Sequence, residues 1–271
     1  MKPQPRTPSR TTRPPFGLAL SNASPTDIVG LALGEPRQPD AGVALVVTPN
    51  IEHIARLRHS RPMAKAYDNA EVIVCDGWPV HLYARACGMR VARVTGCELA
   101  ATLMRRTSFP DWTRFFFVVD RAETAAELEA WARRKGLEGR VASFIPPFGF
   151  EHDETLCNEL AGRIRSHGTT VLMMAVGAPR SEIFVDRFRT ALPPCWAFCV
   201  GQAVKIELGM VRRAPRGWQM VGMEWLWRLG QEPRRLAGRY ATASGGFLLA
   251  LLEDQFRRPA ARSRVSSNAA S

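Results

Sequence analysis

The sequence predicts an α/β fold in which a largely parallel sheet is flanked by helices. Two observations support this class: short, continuous apolar runs recur along the chain, and stretches with helical periodicity separate them. Continuous apolar runs are typical of parallel strands that are covered on both faces. The chain has 271 residues, of which 46% are hydrophobic, so it can build a sizeable core.

Predicted strands and helices alternate from about Asp27 onward. The apolar runs that predict strands lie at 44–48, 72–76, 115–119, 141–145, 171–176 and 196–200. The stretches that predict helices lie at 51–66, 80–87, 122–135 and 153–167. This alternation predicts a sheet-and-helix core over residues 26–209.

The two ends of the chain and the segment after the core differ from it in composition. Residues 1–15 contain five prolines, four basic residues and no acid, so we expect a disordered tail over 1–25 and a second one over 259–271. The segment 212–240 contains seven arginines and three tryptophans, within a predicted helical appendage over 210–258. Tryptophan favours membrane interfaces and arginine pairs with phosphates, although a solvated basic helix packed on its tryptophans is the alternative.

Charge and cysteine usage narrow the class of protein. The net charge of +12 indicates an anionic partner, and nucleic acid, anionic lipid and a sugar nucleotide all qualify. No nucleic-acid-binding motif accompanies the charge, so we expect no nucleic acid partner. The six cysteines form no Cys-x-x-Cys pair, which favours reduced thiols in a cytoplasmic protein and gives no metal site. No apolar run is long enough to span a membrane, so we expect peripheral attachment.

Small or polar residues follow four of the predicted strands. The ends of parallel strands are where open α/β sheets bind their ligands, so this convergence predicts a single cleft. The segments are Thr48–Asn50, Asp76–Gly77, Gly177–Glu182 and Gly201–Gln202.

Asp76 is the candidate catalytic base of this cleft. A carboxylate beside a flexible glycine can take the proton from an acceptor hydroxyl, although an Asp-Gly turn that bonds local amides is the alternative. Thr48 and Asn50 either bind sugar hydroxyls or cap the helix that begins at Ile51.

Positive charge and helix ends are the groups available for binding an anion. The segment with Gly177, Pro179 and Arg180 resembles a loop that binds phosphate at a helix N-terminus, and an ordinary strand–helix turn is the alternative. Arg93 either binds an anion or is solvated. The acidic cluster at 151–154 is interpreted as a helix start rather than a metal site. No Asp-x-Asp pair occurs, which leaves positive side chains and helix ends to stabilise a diphosphate.

An ordered series of short motifs resembles the WecG/TagA/CpsF glycosyltransferases. The resemblance covers about residues 40–255. In chain order the motifs are Thr48-Pro49-Asn50, Asp76-Gly77, Arg93-Val94-Thr95-Gly96, Gly177-Ala178-Pro179-Arg180, Arg213-Ala214-Pro215, Met223-Glu224-Trp225-Leu226, Glu232-Pro233-Arg234-Arg235 and Arg239-Tyr240.

The resemblance implies a fold and an activity. It implies a Rossmann-like core with a C-terminal helical appendage, and inverting transfer of a hexose-type sugar from a UDP-sugar without a required metal or other cofactor. The acceptor would be a sugar linked by diphosphate to a polyprenol at the inner face of the cell membrane. The product would enter capsule, exopolysaccharide, teichoic acid or common antigen synthesis. The oligomeric state stays open, and a homo-oligomer is one alternative.

The resemblance also implies roles for individual residues. Asp76 matches the proposed base, and Thr48 and Asn50 match polar residues of the sugar pocket. Further substrate-binding positions and the arginines expected to close over the diphosphate are, in order, Gly77, Arg93, Thr95, Gly177, Pro179, Arg180, Gln202, Arg228, Arg235 and Arg239.

Two positions depart from the family pattern. Pro-Lys-Gln-Glu is here Pro179-Arg180-Ser181-Glu182, and the short Ser181 cannot reach as far as glutamine. Gly-Gly-Ala-Phe-Asp ends here in Lys205, a base in place of an acid. The departures suggest either a changed donor preference, toward an anionic sugar, or weakened activity. They also motivate the alternative of a catalytically silent membrane- or partner-binding module.

Overall fold

The computed structural model describes residues 14–220, 223–231 and 233–257, and within them one six-stranded sheet is entirely parallel. The prediction of an α/β fold with a parallel, helix-covered sheet is confirmed. The strand order is β2-β1-β6-β5-β3-β4. The strands are β1 Ala44–Val47, β2 Val72–Ile73, β3 Phe115–Val118, β4 Val141–Phe144, β5 Val171–Met174 and β6 Trp196–Cys199.

Helices cover both faces of the sheet, and two short 3-10 helices lie at Pro15–Gly17 and Phe150–His152. The four central strands are buried along their whole length, as parallel strands between helical layers should be. The α-helices are α1 Pro25–Gly34, α2 Ile51–Leu57, α3 Arg61–Asp68, α4 Trp78–Ala86, α5 Gly96–Met104, α6 Ala122–Arg134, α7 Glu154–Ser166, α8 Arg180–Arg187, α9 Ala203–Glu207, α10 Arg216–Met220, α11 Glu224–Gln231 and α12 Pro233–Arg257.

Alternate residues of each strand feed two separate cores. Leu45 and Val47 of β1 pack with residues of α2, α3, α4, α7 and α8 on one face. Ala44 and Val46 pack with residues of α1, α5, α6 and α9 on the other face. This division follows from the two-residue period of side chains along a strand.

The register of the strands brings their carboxyl ends to one level. Cys199 of β6 pairs with Val47 of β1 and with Met174 of β5, and Met174 pairs in turn with Val118 of β3. The segments that follow these strands therefore leave the sheet along one common edge, which we call the carboxyl edge. This edge positions the candidate site.

The structure differs from the sequence prediction in three segments. The helix predicted over 51–66 is two helices, because Ser60 caps α3 and Pro62 lies in its first turn. The strand predicted over 72–76 is only two residues long and continues as a single bridge between Cys75 and Arg93. Residues 14–25 were expected within a disordered tail, but they are ordered, because Leu18 and Leu20 are buried in the core. The other residues of the two expected tails, 1–13 and 259–271, lie outside the described residues.

The C-terminal helix α12 packs against α2 with its backbone very close. A Cβ atom added to Gly246 would lie 2.7 Å from the Cβ of Ala55, so only glycine fits this contact. Two polar contacts fix the end of the helix: Arg58 forms a bidentate ion pair with Glu253, and the Tyr83 hydroxyl donates to Asp254 at 2.8 Å. The predicted helical appendage is thus anchored on the core.

Candidate active site

A cleft of about 370 Å³ lies at the carboxyl ends of β1 and β2, with helices α10, α11 and α12 on its far side. Two strand ends and three C-terminal helices therefore contribute to one cavity of the size that small-molecule sites have. The lining residues are Asn50, Ile51, Glu52, Asp76, Gly77, Trp78, Pro79, Arg93, Thr95, Cys97, Gln219, Glu224, Trp225, Tyr240 and Ser244.

Asp76 lies at the centre of the strand-end side of the cleft and is partly exposed. Its preceding residue, Cys75, bridges to Arg93, and the backbone N–H of Val94 donates to the Cys75 carbonyl at 3.0 Å. Its following residue, Gly77, has φ +83°, a conformation that side-chain-bearing residues rarely adopt. Rigid backbone on one side and a required glycine on the other hold the carboxylate at the cavity.

Asn50 caps α2 and also lines the cleft. Its Oδ1 atom accepts from the backbone N–H groups of Glu52 at 2.9 Å and His53 at 3.3 Å. A Cβ on Gly77 would lie 3.6 Å from the Cβ of Asn50, so the two strand ends are neighbours. The capping and cleft-lining interpretations of Asn50 are therefore compatible.

Arg93 and Thr95 border the same cavity on the α5 side. The Arg93 guanidinium lies over the Trp78 ring at 5.7 Å from the centroid, and its NH2 is 3.8 Å from the Glu98 carboxylate. Thr95 is buried and forms a capping box with Glu98 at the start of α5. Arg93 is the cationic side chain of the described lining, so it is placed to meet an anion in the cleft.

Thr48 does not line the cleft, and the helix cap that was the alternative interpretation is supplied by Asn50. Its side chain is buried, and its hydroxyl donates to the Cys199 carbonyl at 3.3 Å. A Cβ on Gly96 would approach this hydroxyl to 3.5 Å, so Thr48 packs β1 against the start of α5. Thr48 therefore connects the ends of β1 and β6 and does not face the cavity.

The wall opposite Asp76 consists of residues that the sequence analysis did not single out for the cleft. Trp225 and Tyr240 pack edge to face with ring centroids 6.0 Å apart, and the Trp78 indole donates to the Gln219 carbonyl at 3.3 Å. Ser244 extends this wall along α12. The tryptophans were visible in the sequence, but their place in the cavity depends on how α12 docks.

For the three appendage arginines predicted to bind the diphosphate, the structure describes the helices that carry them but not their side chains. Arg228 belongs to α11, and Arg235 and Arg239 belong to α12. Their side chains lie outside the described residues. Arg239 directly precedes Tyr240 of the cleft wall.

Gly177, Pro179, Arg180 and Gln202 lie farther along the carboxyl edge and do not line the cleft. Gly177 and Gly201 are adjacent, since a Cβ on Gly201 would lie 3.8 Å from the Gly177 Cα. The Arg180 guanidinium donates to the Val176 carbonyl and lies 4.8 Å from the centroid of the Phe148 ring. The structure therefore divides the predicted site residues between two neighbouring regions.

The two departures from the family pattern both lie in this second region. The Ser181 hydroxyl is buried and donates back to the Gly177 carbonyl at 3.1 Å. The Lys205 ammonium is nearly buried and contacts the Asp120 carboxylate at 2.6 Å, just beyond β3. Asp120 was not predicted as a site residue, although it follows an apolar strand in the same way as Asp76 follows β2.

Burial and neighbouring charge perturb two groups near Asp76. The pKa of the Cys75 thiol is raised to about 12, mainly by burial and next by the Asp76 carboxylate, while Arg93 opposes the rise. Burial lowers the pKa of His81, and Arg85 and Arg93 lower it further. Neither group is therefore poised to ionise near neutral pH. Of the three carboxylates that line the cleft among the described residues, Glu52, Asp76 and Glu224, Asp76 is the one that follows a strand of the sheet, and it stays the candidate base.

Two features are absent from the residues that the structure describes. Over residues 14–220, 223–231 and 233–257, no group of three or more His, Cys, Asp or Glu side chains could hold a metal ion. Over the same ranges, no helix is both long enough and apolar enough to cross a bilayer.

Comparison with known protein families gives one match over most of the chain. Residues 15–261 match the family described as "Glycosyl transferase WecG/TagA/CpsF family". The matched range includes the whole sheet, the cleft and the three helices that form its far wall.

Proposed function

The chain belongs to the WecG/TagA/CpsF glycosyltransferases of cell-surface polysaccharide biosynthesis, and we propose that it transfers a hexose-type sugar from UDP to a polyprenyl-diphosphate-linked sugar. The observation that carries this proposal is the cleft in which Asp76, Asn50 and Arg93 meet an aromatic wall from the appendage. A base, a hydrogen-bonding amide, a cation and stacking surfaces are the groups that such a transfer needs.

Asp76 acts as the general base in the proposed reaction. The acceptor hydroxyl oxygen forms a bond to the anomeric carbon of the donor sugar while the bond from that carbon to the UDP oxygen breaks. UDP leaves with the electron pair, and the hydroxyl proton goes to the Asp76 carboxylate. Attack opposite the leaving group inverts the anomeric configuration, and a partly exposed carboxylate in the cavity can serve this step.

Positive side chains stabilise the diphosphates in this proposal. Arg93 lies in the cleft, and its guanidinium is already oriented by Trp78 and Glu98. Arg228, Arg235 and Arg239 are proposed to close over the diphosphate from α11 and α12. This arrangement assigns charge stabilisation to side chains, and it routes no step through a metal.

The outer face of α12 supports the proposal that the enzyme works at the inner face of the cell membrane. Four large apolar side chains share an arc of about 100° on this helix, opposite the face that packs on the core. They are Leu248, Leu249, Leu252 and Phe256, each more than half exposed. With a net charge of +12, this face suits an anionic lipid surface, where a polyprenyl-linked acceptor also resides.

The test is a transfer assay with a panel of UDP-sugars and polyprenyl-diphosphate-linked acceptors, with products detected by mass. We expect one donor to give a product, and Asp76→Asn to reduce its kcat by about 10²–10⁴-fold while UDP binding persists. Asp68→Asn, at the end of α3, is the matched control and should keep full turnover. Unchanged turnover of Asp76→Asn would remove this carboxylate from the mechanism.

The alternative of a silent binding module was motivated by Ser181 and Lys205. Both side chains are satisfied within the protein, Ser181 by the Gly177 carbonyl and Lys205 by Asp120, and neither lines the cleft. This favours the enzymatic proposal. Calorimetry with UDP at low salt separates the two, because a silent module should show no binding.

A further inference from the structure

We propose that Glu182 and His53 are positioning residues, which fix the side-chain amide of Asn50 so that its NH2 group faces the cleft. The proposal rests on the proposed function, because it assigns Asn50 to the binding of an oxygen atom of the substrate. It concerns the buried contacts behind the cleft, which the transfer mechanism does not otherwise use.

The amide oxygen of Asn50 is fully occupied on the protein side. Besides the N–H groups of Glu52 and His53, Oδ1 lies 2.8 Å from Nδ1 of the His53 ring. Oxygen can only accept, so the ring must donate from Nδ1. The Asn50 backbone N–H also approaches Nδ1, at 3.4 Å, but the contact from Nδ1 to Oδ1 is shorter, at 2.8 Å, and is the stronger hydrogen bond.

The other ring nitrogen of His53 faces a buried carboxylate. Nε2 lies 3.6 Å from Oε1 of Glu182, and the side chains are only 12% and 2% exposed. A buried carboxylate needs a polar partner, and the second oxygen of Glu182 has no hydrogen bond among the described residues. The 3.6 Å separation is that of an ion-pair contact, and the burial of both side chains keeps the His53 ring against the carboxylate in one orientation.

This chain of contacts determines what Asn50 presents to the cavity. Because Oδ1 is held by three donors, the NH2 group must lie on the opposite side of the amide, and we infer that it faces the cleft that Asn50 lines. Asn50 can then act only as a donor to a ligand. The ligand atom beside Asp76 must be an acceptor oxygen, of either a sugar hydroxyl or a diphosphate.

The neighbouring tyrosine shows how deeply the contact between Glu182 and His53 is buried. Tyr67 is 2% exposed and its hydroxyl has no hydrogen-bond partner among the described residues. Burial raises the pKa of Tyr67 well above its usual value, and the charge of Glu182 raises it further. In such surroundings the interaction between Glu182 and His53 is screened less than at the surface.

A double-mutant cycle on full-length protein tests the inference. We expect His53→Leu and Glu182→Leu each to lower kcat/KM by about 10- to 100-fold, because a misplaced contact group weakens the reacting geometry. In an Asn50→Ala background the same changes should cost no further activity, since both residues act through Asn50. Losses that multiply in the double variants would overturn the proposal.

A matched control separates positioning from general destabilisation. Asp186 is another buried carboxylate on α8, and it accepts from the Asn69 amide at 2.7 Å, away from Asn50. We expect Asp186→Asn to lower the unfolding midpoint while kcat/KM is retained. A loss of kcat/KM equal to that of Glu182→Leu would show that any damage to α8 has the same result.

A second readout needs no activity and keeps the proposal testable if the proposed reaction is incorrect. In NMR spectra of the wild-type protein, the Asn50 NH2 protons should show NOE contacts to the Gly77 α protons. His53→Leu should weaken these contacts or give a second set of amide signals. NOE contacts from the NH2 protons to the amide protons of Glu52 and His53 instead would reverse the amide and refute the inference. Absence of transfer with the expected NOE pattern would refute only the proposed function.

Discussion

The carboxyl edge of the sheet carries two regions that look alike in sequence and differ in structure. At the ends of β1 and β2, Asp76 and Asn50 face an open cavity. At the ends of β3, β5 and β6, the polar groups satisfy one another, as in the pair of Lys205 and Asp120 and the bond from Ser181 to Gly177. The comparison teaches that a polar strand end opens onto the cleft only where another element leaves space in front of it.

The departures from the family pattern lie in the second region. Both changed residues have found partners inside the protein, whereas the cavity around Asp76 keeps its polar lining. The resemblance to the family assigns the second region to the donor nucleotide, so we expect changes in the first region to alter turnover and changes in the second to alter donor binding.

The largest expected effect comes from a matched pair of glycine substitutions. Gly77 and Gly177 both have φ near +80°, so Gly77→Ala and Gly177→Ala should each cost about 1–2 kcal/mol of stability. Their kinetics should differ. Gly77→Ala displaces Asp76 and should reduce kcat by roughly 100-fold, whereas Gly177→Ala should mainly raise the donor KM. Steady-state kinetics on both variants measures kcat and donor KM. Equal effects on kcat would contradict the proposal that the first region controls turnover and the second controls donor binding.

The next effect concerns the wall that only the first region has. Gly246→Ala places a methyl group against Ala55 and should reduce the free energy of unfolding by about 1–3 kcal/mol, with loss of activity as α12 shifts. Gly245→Ala is the control, because its Cβ meets open space and should stabilise the helix by about 0.5–1 kcal/mol. Urea unfolding and hydrogen exchange of α12 measure both. A stable, active Gly246→Ala protein would contradict the close contact.

A smaller effect is expected for the ion pair of the second region. Lys205→Met leaves the Asp120 carboxylate without its cation, and should lower the free energy of unfolding by about 1 kcal/mol, since Asp120 is more than a third exposed. Donor KM should rise several-fold while kcat changes little. The double variant Lys205→Asp with Asp120→Lys should recover stability.

Arg121 supplies the control for this pair. Its Nε lies 3.9 Å from the Asp120 carboxylate and its side chain is 69% exposed, so Arg121→Ala should change neither stability nor kinetics measurably. A fall in kcat for Lys205→Met, with donor KM unchanged, would move the pair into the catalytic region.

The last effect is confined to alkaline pH and involves the buried thiols. Burial raises the pKa of Cys75 and Cys195 to about 12 and that of Cys157 to about 11. The folded state therefore keeps these protons above pH 9, where the unfolded chain loses them. The associated stability is complete below about pH 9 and is lost as the pH rises from 9 toward 12.

Two measurements test the state of these thiols. Urea midpoints should fall as the pH rises from 9 to 11, and a thiol reagent at pH 8 should react only as fast as the protein unfolds. Rapid labelling of the folded protein at pH 8 would contradict the burial of all six cysteines.

Much of the fold was predictable because its signals are local. The apolar runs of Phe115–Val118 and Val171–Met174 indicate strands covered on both faces, and the structure has them there. The break between α2 and α3 was not predicted, although Ser60 two residues before Pro62 is a local helix-start signal. The position of β6 between β1 and β5 depends on contacts between segments that are distant in sequence, so no local pattern predicts it.

The site was predictable in part for the same reason. Asp76 and Asn50 follow strands, so their shared edge could be inferred from the sequence, and the structure places both in the cleft. Tyr240 and Ser244 reach the cleft only because α12 docks on α2, a contact that depends on Gly246. His53 gives no sequence signal of its link to Glu182, because the two are 129 positions apart and meet only after folding.

The two halves of helix α12, which is about 37 Å long, contribute differently to the structure. Its first half supplies Tyr240 and Ser244 to the cavity, and its second half is fastened to the core through Glu253 and Asp254. A shortened protein that ends before Glu253 would keep every cavity residue in its sequence and lose the fastening. Removal of the apolar C-terminal half is an attractive way to raise solubility. We expect it to abolish activity, although it removes none of the residues that line the cavity.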